Sequence, residues 1–135
     1  MSQTSFEISF SFIGTGKTVK GEIQRNNCPQ TFEAIRDKIR EKGFYTVRSR
    51  GNIGSTRTYW MLLIGLRKGG EKDEYKKYKT GDIVYCPRQD ALFLIIDNPK
   101  IQYPAYFIGK VTEGLELLSS LQNGVMCKIE LKDIT

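Results

Sequence analysis

The sequence predicts a mainly β fold: a closed antiparallel β-barrel of about eight strands with two capping helices. Three observations predict it. The chain opens on strict alternation, Phe6, Ile8, Phe10 and Phe12 against Glu7, Ser9 and Ser11, the period of a strand with one buried face. Short apolar runs then recur along the whole length, separated by Gly, Asn and Pro, while only two stretches carry a helical spacing. A sheet so rich in apolar residues would expose reactive edges unless it closed on itself.

The elements follow in order. Gly14-Thr15-Gly16-Lys17 turns the first strand into a second, Val19 to Ile23, so the chain begins with a hairpin. Gly-Thr-Gly-Lys-Thr also suggests a phosphate loop. Ser11 stands where that motif needs its first glycine, and Val19-Lys20-Gly21-Glu22-Ile23 reads as strand, so no helix N-terminus would face a phosphate. Pro29 suits the first turn of a helix whose Phe32, Ile35 and Ile39 share a face and which Gly43 ends. Phe44 to Val47 and Thr58 to Leu66 are expected strands. Between them a loop from Arg48 to Thr56, with two arginines and two glycines, is a candidate functional rim.

Arg67 to Gly81 reads as a charged, solvated excursion with two exposed tyrosines, Tyr75 and Tyr78. Asp82 to Tyr85 and Ala91 to Asp97 are strands joined through Cys86-Pro87-Arg88-Gln89-Asp90, and Pro99 to Pro104 is a loop. Tyr106 to Val111 is a strand leading into a Leu-rich helical turn with Leu117, Leu118 and Leu121. Asn123-Gly124 stops that turn, and Val125 to Leu131 is the last strand.

Composition excludes much chemistry. The 135 residues suit a single domain, 1–135, with one core. There is no histidine, which removes Ser-His-Asp and Cys-His catalysis and imidazole metal ligation. Cys28, Cys86 and Cys127 are odd in number and widely spaced, so they read as buried hydrophobes rather than disulfide partners or zinc ligands. No metal or cofactor is expected. No run is long enough to cross a bilayer, and Ser2-Gln3-Thr4-Ser5 does not read as an export signal, so the expected location is the cytoplasm, with no membrane partner.

The formal net charge is +6, and between Lys17 and Arg57 ten Lys or Arg meet four Asp or Glu, leaving eleven of each sign elsewhere. The excess therefore lies in that window. It gives a nucleic-acid-binding alternative with strongly salt-dependent affinity, less favoured than a solvated surface because the cations form no tract.

Two ordered stretches carry a family resemblance. Phe6-Glu7-Ile8-Ser9-Phe10, Gly14-Thr15-Gly16, Val19 to Ile23 and Cys28-Pro29-Gln30-Thr31-Phe32-Glu33-Ala34-Ile35-Arg36 resemble the opening of a cyclophilin, where a strand, a Gly turn and a second strand run into a Pro-Lys-Thr-x-Glu-Asn-Phe helix. Ile108 to Gly114 resembles the family's late Phe-Gly-Lys-Val-x-Glu-Gly run. Gly81-Asp82-Ile83-Val84-Tyr85-Cys86-Pro87, Ala91-Leu92-Phe93-Leu94-Ile95 and Ile108 to Leu115 look like a narrower group, the small, mostly uncharacterised bacterial and archaeal proteins with a cyclophilin-like barrel. Arg88-Gln89-Asp90 departs from that group's pattern, which has a glycine there.

The resemblance implies a cyclophilin-like barrel with a binding groove on its outside. Prolyl isomerisation must lower a barrier of about 18–20 kcal/mol about a bond with partial double-bond character. In cyclophilins an arginine beside the prolyl nitrogen, an apolar pocket with a phenylalanine, and a glutamine, a tryptophan and a histidine do so. Here the arginine position falls near Asn52, with Arg48 and Arg50 close and Arg57 beyond an insertion. The histidine position falls at Ala105, the phenylalanine position at Leu92 or Leu94, and the lone Trp60 lies in an earlier strand.

The expectation is thus a binding protein without the usual isomerase residues, taking a small molecule or peptide segment through Arg50, Arg57, Tyr59, Tyr85, Arg88 and Tyr106, rings and guanidinium groups suited to carboxylates. A weak or rebuilt peptidyl-prolyl isomerase is the alternative. Similar barrels in subunits of bacterial amide-processing enzymes also suggest a protein partner, with Asp82, Asp90, Asp97 and Cys86 the nearby groups for chemistry.

Overall fold

The computed structural model describes residues 4–51, 58–69, 75, 77–97, 101 and 103–132. Among them lie eight strands: β1 Ser5–Phe12, β2 Lys17–Gln24, β3 Tyr45–Gly51, β4 Tyr59–Leu62, β5 Asp82–Cys86, β6 Ala91–Ile95, β7 Tyr106–Glu113 and β8 Met126–Leu131. Helix α1 spans Pro29–Arg40, and Leu115–Ser120 forms a 3-10 helix. All pairings are antiparallel, and the order β1-β2-β7-β5-β6-β4-β3-β8 returns to β1 as a closed barrel.

Alternation fills the interior. Phe6, Ile8, Phe10 and Phe12 all point inward and are buried, joined by Val19, Ile23, Val47, Trp60, Leu62, Ile83, Tyr85, Leu92 and Leu94. α1 closes one end by burying Phe32, Ile35 and Ile39, with the Phe32 ring stacked 5.2 Å from Phe6. Its last turn is ended by Gly43, which adopts φ +84 and donates its N–H to the Ile39 carbonyl at 2.7 Å. At the opposite end of β1, Phe12 meets Trp60 edge-on at 6.3 Å, and Leu118 and Leu121 from the 3-10 helix complete the interior.

Closure depends on the seam between β2 and β7. A Cβ on Gly109 would penetrate the Glu22 carbonyl oxygen and lie 2.8 Å from Ile23 Cα; one on Gly21 would lie 2.7 Å from the Lys110 carbonyl oxygen. The two backbones therefore approach as only glycine permits. The register shifts at Lys20/Gly21 on this seam and at Ile83/Val84 on the next, bulges that bend β7 round the barrel.

Three local expectations change. β3 runs on to Gly51, so Arg48, Ser49 and Arg50 are strand, not loop. Ser49 keeps the period by turning inward and donating its hydroxyl to the Val125 carbonyl at 2.7 Å. β4 ends at Leu62, short of Leu66. The second helix is a 3-10 turn, begun by Gly114 at φ +86, where a Cβ would sit 2.9 Å from the Thr18 carbonyl oxygen.

Gly109→Ala is expected to lower the unfolding free energy by about 3 kcal/mol, read from urea denaturation. Gly69→Ala, where an added Cβ meets nothing within 4 Å, should stay within about 0.5 kcal/mol. Equal effects would remove the seam's special role.

Candidate functional site

β5 and β6 are buried at every position, so these strands carry apolar side chains on both faces. The outward set is a second core: Met61, Val84, Cys86, Ala91, Phe93, Ile95 and Ala105. Register explains it. Met61 lies opposite Phe93, and Phe93 opposite Val84, so the three share one outer row across β4, β6 and β5.

Tyr59, one register step away opposite Ile95, lays its ring on Phe93 at 4.7 Å and 18°. Arg50 lies opposite Met61 on β3 and projects to solvent. Burial raises the Tyr59 hydroxyl's pKa, the Arg50 charge works against that rise, and Cys86 adds to it. Tyr59 thus feels both groups. Burial also pushes the Cys86 thiol up, against the pull of the Gln89 and Arg88 backbone amides. That turn carries Arg88, whose guanidinium lies 5.1 Å from the centre of the Tyr103 ring. Arg50, Tyr59 and Arg88 are therefore linked along one outer wall.

The remaining expected residues lie elsewhere. Tyr85 points into the barrel, fully buried, and donates its hydroxyl to Asp90 Oδ1 at 2.7 Å. Tyr106 packs against the same inner core. Arg57 lies outside the described residues. The barrel wall separates Tyr85 and Tyr106 from Arg50 and Tyr59. Leu92 and Leu94, the counted phenylalanine positions, face inward, as does Trp60; Phe93 faces out. Sequence reasoning missed Met61, Phe93 and Tyr103, since a run as uniformly apolar as Ala-Leu-Phe-Leu-Ile does not tell which residues face which way.

The excursion after β4 differs from expectation. Tyr75 and Tyr78 are half-buried and pack on the second core with Ile101 and Tyr103. Tyr75 donates its backbone N–H to the Ala105 carbonyl at 2.8 Å and its hydroxyl to Asp82 Oδ2 at 2.8 Å, and its ring meets Phe107 at 5.1 Å. The same Asp82 oxygen accepts the Lys79 N–H at 2.8 Å. The chain itself thus covers the β5–β7 side of this face.

These bonds account for the candidate acid–base groups. Asp82 anchors the cover. Asp90, at φ +53, accepts from Tyr85 and from the Arg67 N–H at 3.0 Å. A buried thiol of raised pKa is not a nucleophile at neutral pH. Among the described residues no group of three or more metal-ligating side chains gathers. The cations between Lys17 and Arg57 are spread over β2, α1 and β3, and several are engaged: Arg25 with Glu33 at 2.7 Å, Arg36 with Asp37 at 3.2 Å, Lys38 with the Gly65 carbonyl at 3.0 Å.

No protein-family model matches the chain, and no curated protein is significantly similar in sequence. Solved structures do match. The solution structure of the hypothetical protein AF2241 from Archaeoglobus fulgidus superposes with a TM-score of 0.72 at 15% identity, covering 96% of each chain. The structure of McbB in complex with tryptophan gives 0.66 at 16% identity, covering 95% of this chain and 45% of that one. At such identities the likeness is one of fold.

Burial and the Asp82 carboxylate together raise the Tyr75 hydroxyl to about 12. The folded state then holds this proton more tightly than the unfolded chain, whose tyrosine ionises near 10. Its contribution is complete below pH 10 and is lost as pH rises towards 12. Tyr75→Phe should lower stability by about 1–3 kcal/mol at neutral pH and flatten part of the decline above pH 10 in urea titrations. An unchanged alkaline profile would show that the bond contributes nothing.

Proposed function

We propose that this chain is a cyclophilin-like binding protein that takes a small molecule or a peptide segment on the outer wall of its barrel. The observation that carries the reading is the Tyr59 ring stacked on Phe93 with Arg50 on the neighbouring strand opposite Met61, while Arg88 lies over the Tyr103 ring that packs on the same outer core. The exposed Arg50 guanidinium suits a carboxylate, and the half-buried Tyr59 ring beside it suits an apolar or aromatic side chain. The tryptophan bound in the McbB structure is an aromatic carboxylate and so a natural first probe.

A second reading rests on the same wall. Arg50 lies opposite Met61 on an outer face that also carries Phe93, the residue types that the cyclophilin resemblance leads one to seek, although Ala105 stands where that resemblance places the histidine. A guanidinium held over a prolyl nitrogen would favour its pyramidal form and weaken amide resonance. A rebuilt prolyl isomerase would use Arg50 in that way.

One NMR experiment addresses both. Tryptophan and a panel of X-Pro peptides are titrated into the labelled protein, and cis–trans exchange of the peptides is followed in parallel. The binding reading expects shifts centred on Arg50, Tyr59 and Arg88, and an affinity about tenfold weaker in Arg50→Ala. Accelerated exchange abolished by that substitution selects the isomerase. Shifts confined to other faces would sink both.

A further inference from the structure

The exposed large apolar side chains of the described residues are Ile13, Phe44, Leu63 and Met126, at 55%, 39%, 39% and 37% exposure. They are not scattered. Arg48 lies opposite Met126 in the β3–β8 register. The Leu63 N–H donates to the Arg48 carbonyl at 3.0 Å, and the Ile13 N–H donates to the Met126 carbonyl at 2.9 Å. Leu63, Arg48, Met126 and Ile13 therefore form one lateral row on the outside of the barrel, crossing β4, β3, β8 and the end of β1. At the usual strand spacing the row is about 14 Å long. Their chain neighbours Leu62, Val47, Cys127 and Phe12 are all buried in the inner core, so alternation points the row outward.

Phe44 extends the patch. It sits just ahead of β3, and the Lys128 ammonium, on the next outward row, lies 4.9 Å from its ring centre. The Arg48 side chain makes no ion pair or hydrogen bond among the described residues. The patch thus combines Met, Leu, Ile and Phe with Arg48 and Lys128. Met, Phe and Arg are enriched where protein interfaces bury their centres.

We propose that this row docks an acidic segment of another protein, one that presents a carboxylate between apolar side chains on a single face. Arg48, flanked by Leu63 and Met126, is placed to pair with a carboxylate whose same-face neighbours, two residues away on an extended chain, cover those two side chains. Lys128 lies 4.0 Å from the Glu130 carboxylate, so the uncompensated charge of the patch is that of Arg48; with the chain at +6 overall this selects an acidic occupant. A second copy packed row against row about a two-fold axis would set Arg48 near its own like charge. Nucleic acid would find aliphatic side chains rather than stacking planes, and the one exposed ring is already shared with Lys128. A membrane would meet a cation in the middle of the apolar row.

The test uses the whole chain and a synthetic Glu–Leu peptide repeating Leu-Ser-Glu-Ser, so that Leu and Glu alternate on one face, with its Lys–Leu counterpart (Leu-Ser-Lys-Ser), a single-stranded oligonucleotide and anionic vesicles as competing probes. Amide shifts should concentrate at Ile13, Arg48, Leu63 and Met126 with the Glu–Leu peptide alone. Arg48→Glu should weaken that binding about tenfold or more, and Met126→Asp should do the same without altering the thermal unfolding midpoint, since the side chain is exposed. Lys110→Ala, an exposed cation on β7 across the barrel from the row, should not change it, separating this surface from the chain's general positive charge. No shift on the row, equal binding of the Lys–Leu peptide, preferential binding of oligonucleotide or vesicle, or dimerisation through the row in sedimentation would each overturn the proposal.

Discussion

Eight strands close into this barrel only because β2 and β7 lie closer than side chains allow. Gly21 and Gly109 face one another's backbones across the seam, and the register slips beside them. Closure there leaves no open sheet edge, the feature that makes apolar sheets prone to mispairing. It also fixes the rest of the architecture. β7 must bend to reach both β2 and β5, and that bend seats β5 and β6 in the wall where both faces are covered.

A strand with apolar side chains on both faces requires a second layer, and this chain supplies it from its own connections. Bringing a connecting segment down onto an apolar wall strands polar backbone unless partners are present. Asp82 is the solution on one side, since one carboxylate oxygen receives both the Tyr75 hydroxyl and the Lys79 amide. Asp90 acts likewise on the other, holding the Tyr85 hydroxyl and the Arg67 amide while adopting the left-handed backbone that a glycine would take more readily. The Asp82 and Asp90 carboxylates are thus employed in construction.

Much of the fold was legible because its strands carry strong periods. Phe6 to Phe12 announced both the strand and its inner face, and Pro29 with Gly43 bounded the helix. Legibility failed where the period is silent or interrupted. A small polar residue at an inward position, Ser49, disguised β3 as loop, since its inward hydroxyl is satisfied only by a carbonyl 76 residues away. In β6 every side chain is apolar, so nothing local distinguishes Phe93, on the outer wall, from Leu92 and Leu94 inside. The candidate site suffered most from this. Tyr59, Tyr85 and Tyr106 look alike in sequence, yet register with neighbouring strands sends the first outward and the other two into the core. Tyr75 and Tyr78, set among lysines, read as solvated because the apolar surface they cover belongs to distant strands.

The three cysteines fall in two layers of this architecture, Cys28 and Cys127 in the inner core and Cys86 in the outer one. Cys127 lies in the inner core, Cys86 in the outer layer over the wall, and Cys28 at the start of α1, with its thiol directed at the Phe107 carbonyl at 3.2 Å. All three are buried, and burial holds the Cys86 and Cys127 thiols in the protonated, unreactive form. Alkylation at each site therefore waits on the opening of its own layer. Residue-resolved thiol labelling would thus report separately on lifting of the outer cover, at Cys86, and opening of the inner core, at Cys28 and Cys127, making the native chain a record of its own partial unfolding.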